Sequence, residues 1–346
     1  MTEFLLESRG TRQVLDAFVV AARFSRDGES VAFALGDGTL RLAPLSGTSG
    51  WQNVPAHDGS VLALAQDVSG SGFVSGGDDG VFRRIAADGG VTDIARFGAM
   101  KWVEQVTSFT DPKGRQALLS CAVGKVVYLF DHAGQRLKEF AHPSSVTGLN
   151  FDAKGKRICA SHYNGVSLWF VGSKTDTPRR LEWKGSHTAL AIHPDGDAVV
   201  TAMQENSLHG WRLSDGQHMR MSGYPSKSAA LSFSRTGKWL ASSGADAMVL
   251  WPFFGGGPMG KAPLELAGGD GILCTQVACH PRLDLVAGGF ADGLVVVTDI
   301  ASSRVLPVAP PGHGSVSALA WSPDGSRIAF GTEQGLAAIV DFSTVG

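Results

Sequence analysis

The residues whose types and spacing could do chemistry begin with a glycine–lysine segment. In GGGPMGKAP, at residues 255–263, Gly255, Gly260 and Lys261 have the spacing of a phosphate-binding P-loop. Such a loop presents backbone N–H groups and an ammonium to phosphate. It also needs a hydroxyl after the lysine to ligate Mg²⁺, and a helix beyond it. Here Ala262 and Pro263 follow, and a strand is expected next, so the segment reads as a lengthened connection with no nucleotide cofactor. A second group is Cys274, Cys279 and His280. Zinc sites usually take ligands as two close pairs. Only this loose group occurs among four cysteines and ten histidines, with no H-E-x-x-H, so no metal site is assigned. No G-x-S-x-G elbow is present either, and a Ser–His–Asp set would have to be assembled from distant segments. No catalytic residue is assigned.

Composition narrows the classes further. The chain has 346 residues, 43% hydrophobic and 18% charged, enough apolar material for a large core. A net charge of −2 leaves no basic excess for nucleic acid or an anionic membrane. Arg83-Arg84 and Arg179-Arg180 are isolated pairs, read as solvated strand edges. The start, MTEFLLESRG, carries Glu3 and Glu7 and no apolar core, so no signal peptide is expected. No apolar run reaches the roughly 18 residues needed to span a bilayer. The scattered cysteines fit a reducing compartment, and a cytoplasmic protein is expected.

The elements that would position any site come from a repeat. An apolar strand, a polar turn, a second strand, a tight turn and a third strand recur, as in LNFDAKGKRICASHYNGVSLWF and LAWSPDGSRIAFGTEQGLAAIV. First turns fall at Gly28, Gly70, Gly114, Gly155, Gly196, Gly237, Leu283 and Gly325, spaced 42, 44, 41, 41, 41, 46 and 42 residues apart. Second turns follow ten residues later, at Gly38, Gly80, Gly124, Gly165, Asn206, Ala247, Gly293 and Gly335. A helix of ordinary length does not fit between turns so close, whereas strands do. With a fourth strand in each connecting segment, the period matches one propeller blade. The eighth repeat lacks its own fourth strand, and RQVLDAF at residues 12–18 is expected to supply it, closing the ring.

These residues resemble the WD-repeat (WD40) family along essentially the whole chain. The family's histidine before the first strand is matched by His57, His142, His187 and His313. Its turn aspartate is matched by Asp37, Asp79, Asp246 and Asp292, and its third-strand tryptophan by Trp169, Trp211 and Trp251. The dipeptide Trp-Asp occurs nowhere, and no repeat carries every signature position. In the family, His, Ser/Thr, Asp and Trp form a hydrogen-bonded set. Only partial sets are expected here, such as His57, Ser75 and Asp79 without a tryptophan. The resemblance implies an all-β, single-domain propeller over residues 1–346, of eight blades, with seven as the alternative.

It also implies a function. Second turns and the segments before first strands share the face called the top in this family. Departures from the repeat there mark a partner-binding set: Lys101, Trp102 and Glu104 in GAMKWVEQ, His162 and Tyr163, Tyr224, and Phe290. Aromatic rings interleaved with charge are the material of interface hot spots. The expected function is a non-catalytic scaffold for protein partners, acting as a monomer, with neither nucleic acid nor membrane as partner. Alternative readings are a propeller holding a small molecule or metal in its axial funnel, or an enzyme whose site is assembled across blades.

Overall fold

The computed structural model describes residues 3–46, 50–98, 100–269 and 271–343. Among these, only Leu5–Arg9 is helical, and the remaining elements are strands. Second strands such as Ser30–Leu35 and Ala198–Met203 are buried almost throughout, as strands covered on both faces must be. Fourth strands such as His218–Met221 alternate exposed with buried residues, so one face of each meets solvent.

Most of the sheets are antiparallel four-stranded meanders in chain order. Val19–Phe24, Ser30–Leu35, Thr39–Pro44 and Gln52–Pro55 form the first. Val61–Gln66, Phe73–Gly77, Val81–Ile85 and Val91–Arg96 form the second, and Val103–Thr110, Ala117–Val123, Val126–Asp131 and Arg136–Ala141 the third. The sixth repeat forms a sheet from Leu231–Phe233 to Leu264–Leu266, and the seventh from Cys274–Cys279 to Val305–Ala309. The last sheet holds Val316–Trp321, Arg327–Thr332 and Leu336–Asp341, and takes its fourth strand from Gly10–Val14. That strand runs from Gly10↔Val340 to Val14↔Leu336, so the pairing lies earlier than the expected residues 12–18.

Among the described residues the sheets number seven, which overturns the expected eight blades and agrees with the alternative of seven. The fourth and fifth repeats are not separate sheets but share one of six strands, from Gly148–Phe151 to His218–Met221. Its strand Arg157–Phe170 passes through the position of a second turn without interruption. There Asn164 and Gly165 take positive φ values of 69° and 143°, and the register shifts between Tyr163 and Gly165. Arg179–Ile192 likewise runs unbroken from the end of one repeat into the next. Tyr163 pairs with Ser186, so the ladder continues where a linker would otherwise begin.

Two compact units are defined by contact, residues 23–190 and residues 1–22 with 191–346. In the first, Phe109, Phe140, Leu149, Ile158 and Trp169 belong to one buried cluster. In the second, Leu6, from the helix, joins Val295, Val316, Phe330 and Val340.

First turns are clasped from repeat to repeat within each unit. In the second unit, the rings of His193 and His280 lie over the first-turn glycines of the following repeats. Their Nε2 atoms are 3.1 Å from the Gly237 carbonyl and 3.0 Å from that of Gly325. A Cβ at Gly237 or Gly325 would collide with the imidazole above it, and both residues sit at positive φ, which glycine alone adopts without strain.

Candidate interaction face

The hydrogen-bonded sets that stiffen each repeat come first, because one of them imitates a catalytic triad. His57 Nδ1 is 2.9 Å from Asp79 Oδ1, and His57 Nε2 is 2.7 Å from Ser75 Oγ. The order Ser–His–Asp is that of a hydrolase, but Ser75 is wholly buried and no substrate can reach its hydroxyl. Burial is the largest influence on Asp79 and pushes its pKa up. The bond and charge of His57, with the N–H groups of Asp58 and Val81, outweigh it and hold the carboxyl below its ordinary range. Arg83 donates to Asp79 Oδ2 at 3.1 Å and to Asp93 Oδ1 at 2.9 Å, so a cation completes this set. The set is a brace, as its partial match to the family pattern implies.

Tyr224 belongs to a second brace, which corrects its place in the expected partner-binding set. Its ring is buried, its hydroxyl lies 2.5 Å from Ser242 Oγ, and it accepts the Trp251 indole N–H at 2.6 Å. Burial pushes the phenol up to about 12, so it stays a hydrogen-bonding neutral group. Phe290 is a second correction: it is 2% exposed and packs in a core with Met248, Leu250 and Cys274. Both rings occupy rim positions in the sequence but turn inward.

The other expected residues remain near the surface of residues 23–190. Second turns there lie against the linkers that precede the next repeat. Phe97 N–H donates to the Gly80 carbonyl, and Val146 N–H to that of Gly124. On this rim Lys101 is exposed and Trp102 is 55% exposed. Glu104, half-buried behind them, has its pKa raised by burial. Met100, absent from the expected set, is 92% exposed at a positive φ of 62°.

His162 and Tyr163 are brought together in a cleft of about 740 Å³. His162 is buried, with Nδ1 2.8 Å from the Tyr163 carbonyl and Nε2 3.0 Å from Ser167 Oγ. Tyr163 is 53% exposed, and its N–H donates to Ser144 Oγ at 2.9 Å. Asn164 Oδ1 accepts the Gly185 N–H at 3.1 Å and ties the opposite wall. That wall carries Arg180, Glu182 and Lys184 on alternate, exposed positions of one strand. Trp102 lies outside this cleft. Arg180, read in the sequence as part of a solvated strand edge, and Lys184 stood outside the expected set, although the alternation Arg-x-Glu-x-Lys is visible there once the segment is known to be a strand.

The P-loop-like segment has a structural explanation. Lys261 Nζ folds back to donate to the Phe254 carbonyl and sits 4.7 Å from the centre of the Phe254 ring. A strand, Leu264–Leu266, follows it. The four cysteines are unpaired, and burial pushes the thiols of Cys159, Cys274 and Cys279 up to about 12. Among the described residues no group of three or more His, Cys, Asp or Glu is placed to hold a metal ion. No helix among them is long and apolar enough to cross a membrane.

Comparison with known proteins agrees with the repeat. Residues 51–83 match the model of the WD domain, G-beta repeat, and residues 277–345 that of the anaphase-promoting complex subunit 4 WD40 domain. Telomerase protein component 1 of Mus musculus is 25% identical over 332 residues, 91% of this chain but 12% of that protein. Autophagy-related protein 16 of Arabidopsis thaliana is 19% identical over 82% of this chain and 56% of its own length. WD repeat-containing protein slp1 of Schizosaccharomyces pombe is 25% identical over 47% of this chain and 35% of its own. Among solved structures, the computationally designed Ika8 protein superposes with a TM-score of 0.75 and 21% identity, covering 95% of this chain and 98% of that one. Blade-type sheets braced by partial His–Ser–Asp and Tyr–Ser–Trp sets, together with these matches, support a WD40-type β-propeller, and residues 51–83 and 277–345 are similar to the repeats of that family. Within that family the matches are spread over proteins of different names, and they single out no particular member.

Proposed function

We propose that this chain is a non-catalytic, cytoplasmic module that binds a protein partner through the rim carrying Trp102 and Tyr163. One observation carries the reading: two large aromatic rings, each more than half exposed, stand on the turn-bearing rim of the third and fourth repeats, whereas the rim aromatics Tyr224 and Phe290 of the sixth and seventh turn inward. A bare ring costs solubility, while a ring buried by a partner is the usual centre of an interface hot spot. Lys101 and the cleft beside Tyr163 supply the polar margin such a patch needs. The names of the relatives fit this reading, since an anaphase-promoting complex subunit works within an assembly.

The test is affinity capture from the native host. Trp102→Ala and Tyr163→Ala are expected to weaken recovery of the partner roughly thirtyfold in affinity, the loss of about 2 kcal/mol typical of one anchor. Their melting temperatures should match the parent's. Lys154→Ala, on an exposed first turn, is expected to change nothing. Normal capture by both aromatic variants, with loss in the Lys154 variant, would place binding on the other rim.

A further inference from the structure

We propose that the cleft beside Tyr163 takes an extended acidic peptide segment, its carboxylates held by Arg180 and Lys184 and an apolar side chain laid on the Tyr163 ring. This rests on the reading of the rim as a protein-binding surface and names the chemistry of what binds there. The first support is a contrast in how cations are used. Arg83 is tied to Asp79 and Asp93, Arg84 to Asp67, Arg115 to Asp111 and Arg157 to Asp152. Arg180 and Lys184 are exposed and form no ion pair among the described residues. Lys125 is a third such cation, and its carbonyl accepts the His142 N–H beside Pro143 and Ser144 of the cleft. Against these three stands one lining carboxylate, Glu182, also without an ion pair. The locality is therefore positive in a chain whose net charge is −2.

Spacing supplies the second support. Arg180 and Lys184 are four residues apart on one strand, so their Cα atoms are separated by roughly 13 Å, with Glu182 midway. An extended peptide with acidic residues four apart meets both cations and passes Glu182 with an uncharged residue. A phosphodiester chain carries charge on every nucleotide and must bring one phosphate against Glu182. The third support is preorganisation. Ser144 and Asn164 are already bonded to the N–H groups of Tyr163 and Gly185, so both walls are fixed before anything binds.

A fluorescein-labelled random copolymer of glutamate and tyrosine, followed by fluorescence anisotropy, is the probe. The whole chain is expected to bind it at low ionic strength and to release it at high salt. The double variant Arg180→Glu, Lys184→Glu should weaken binding by about tenfold or more, and Glu182→Gln should tighten it several-fold, a gain that misfolding cannot produce. Lys154→Glu should leave it unchanged. The proposal is overturned if the parent ignores the copolymer, if charge reversal leaves binding intact, or if poly-uridylate binds more tightly than the copolymer. Capture of the native partner that still depends on Trp102 and Tyr163 while the copolymer fails to bind would sink this inference and leave the protein-binding reading standing. Copolymer binding sensitive to charge reversal, with capture indifferent to both aromatic variants, would do the reverse.

Discussion

His142 stands where His57 stands in its own repeat, yet neither of its ring nitrogens has a protein hydrogen-bond partner. The offsets explain it. Ser75 lies 18 residues and Asp79 22 residues after His57, whereas the matching positions after His142 are Ala160 and Asn164. The hydroxyl is gone, and the asparagine is used elsewhere, on Gly185. The ring is left against Trp169, 4.6 Å away, and burial, with the nearby His162 and Arg180, pushes its pKa down from 6.5 to about 3. Above pH 6.5 the ring is neutral in folded and unfolded chains alike, and it adds no pH dependence. As pH falls from 6.5 towards 3 the unfolded chain takes up the proton first, so stability must fall across that window. Urea midpoints measured from pH 7 to pH 4 should therefore decline, and His142→Phe should flatten part of the slope. His57, His162 and His280, all lowered by burial, contribute in the same direction, as do carboxylates held below their ordinary range such as Asp79 and Asp324. Ala160→Ser should give His142 the partner it lacks and add about 1 kcal/mol at pH 7, read from the same midpoints. Conversely, Tyr224→Phe strands the Trp251 indole, while the Ser242 hydroxyl keeps the Val249 carbonyl, and should cost about 1–3 kcal/mol. This brace was legible in principle, since Tyr224 precedes Ser242 by the same 18 residues. A tyrosine on a rim position reads as exposed until its hydroxyl is seen to replace an imidazole.

Among the elements, the strand Gly10–Val14 is unusual in burying none of its five residues. Its attachment is the backbone ladder to Leu336–Asp341, and the apolar anchorage comes instead from Leu6 in the preceding helix, 2% exposed. Leu6→Ala is therefore expected to destabilise by about 2–5 kcal/mol in chemical denaturation. Deleting residues 1–18 should bare the edge of Leu336–Asp341 and show as aggregation in light scattering; a deletion variant that stays monomeric with an unchanged melt would refute the strand's role. That a segment ahead of the first repeat completes the last one could be read from the sequence by counting strands. Its limits could not, because Gly10 and Thr11 carry no apolar pattern to announce a strand. The fused fourth and fifth repeats were hidden for a related reason. Asn-Gly at residues 164–165 is a strong turn signal, and only the distant pairing of Tyr163 with Ser186 shows that the ladder continues past it.

For the molecule as a whole, periodicity was the most legible property. Turns every 41–46 residues point to the blade class, because Gly and Asn mark positive φ at most of these turns, as Gly38 and Asn206 do. The interaction face was half legible: position in the repeat places a residue on a rim but does not say which way its ring turns, and Phe290 and Trp102 differ in that alone. The pairing of Gly10 with Val340 has a consequence in time. The two residues are 330 positions apart (340 minus 10), so residues 10–14 must wait until that many further residues have been translated before their partner strand leaves the ribosome. At about 5–20 residues per second that wait is roughly a quarter of a minute to a minute, far longer than a hairpin needs to form. Earlier sheets can fold as they emerge, while the nascent N-terminal segment stays unmatched. The rate of translation, rather than any barrier in the folded chain, then sets the earliest moment at which this sheet can be completed.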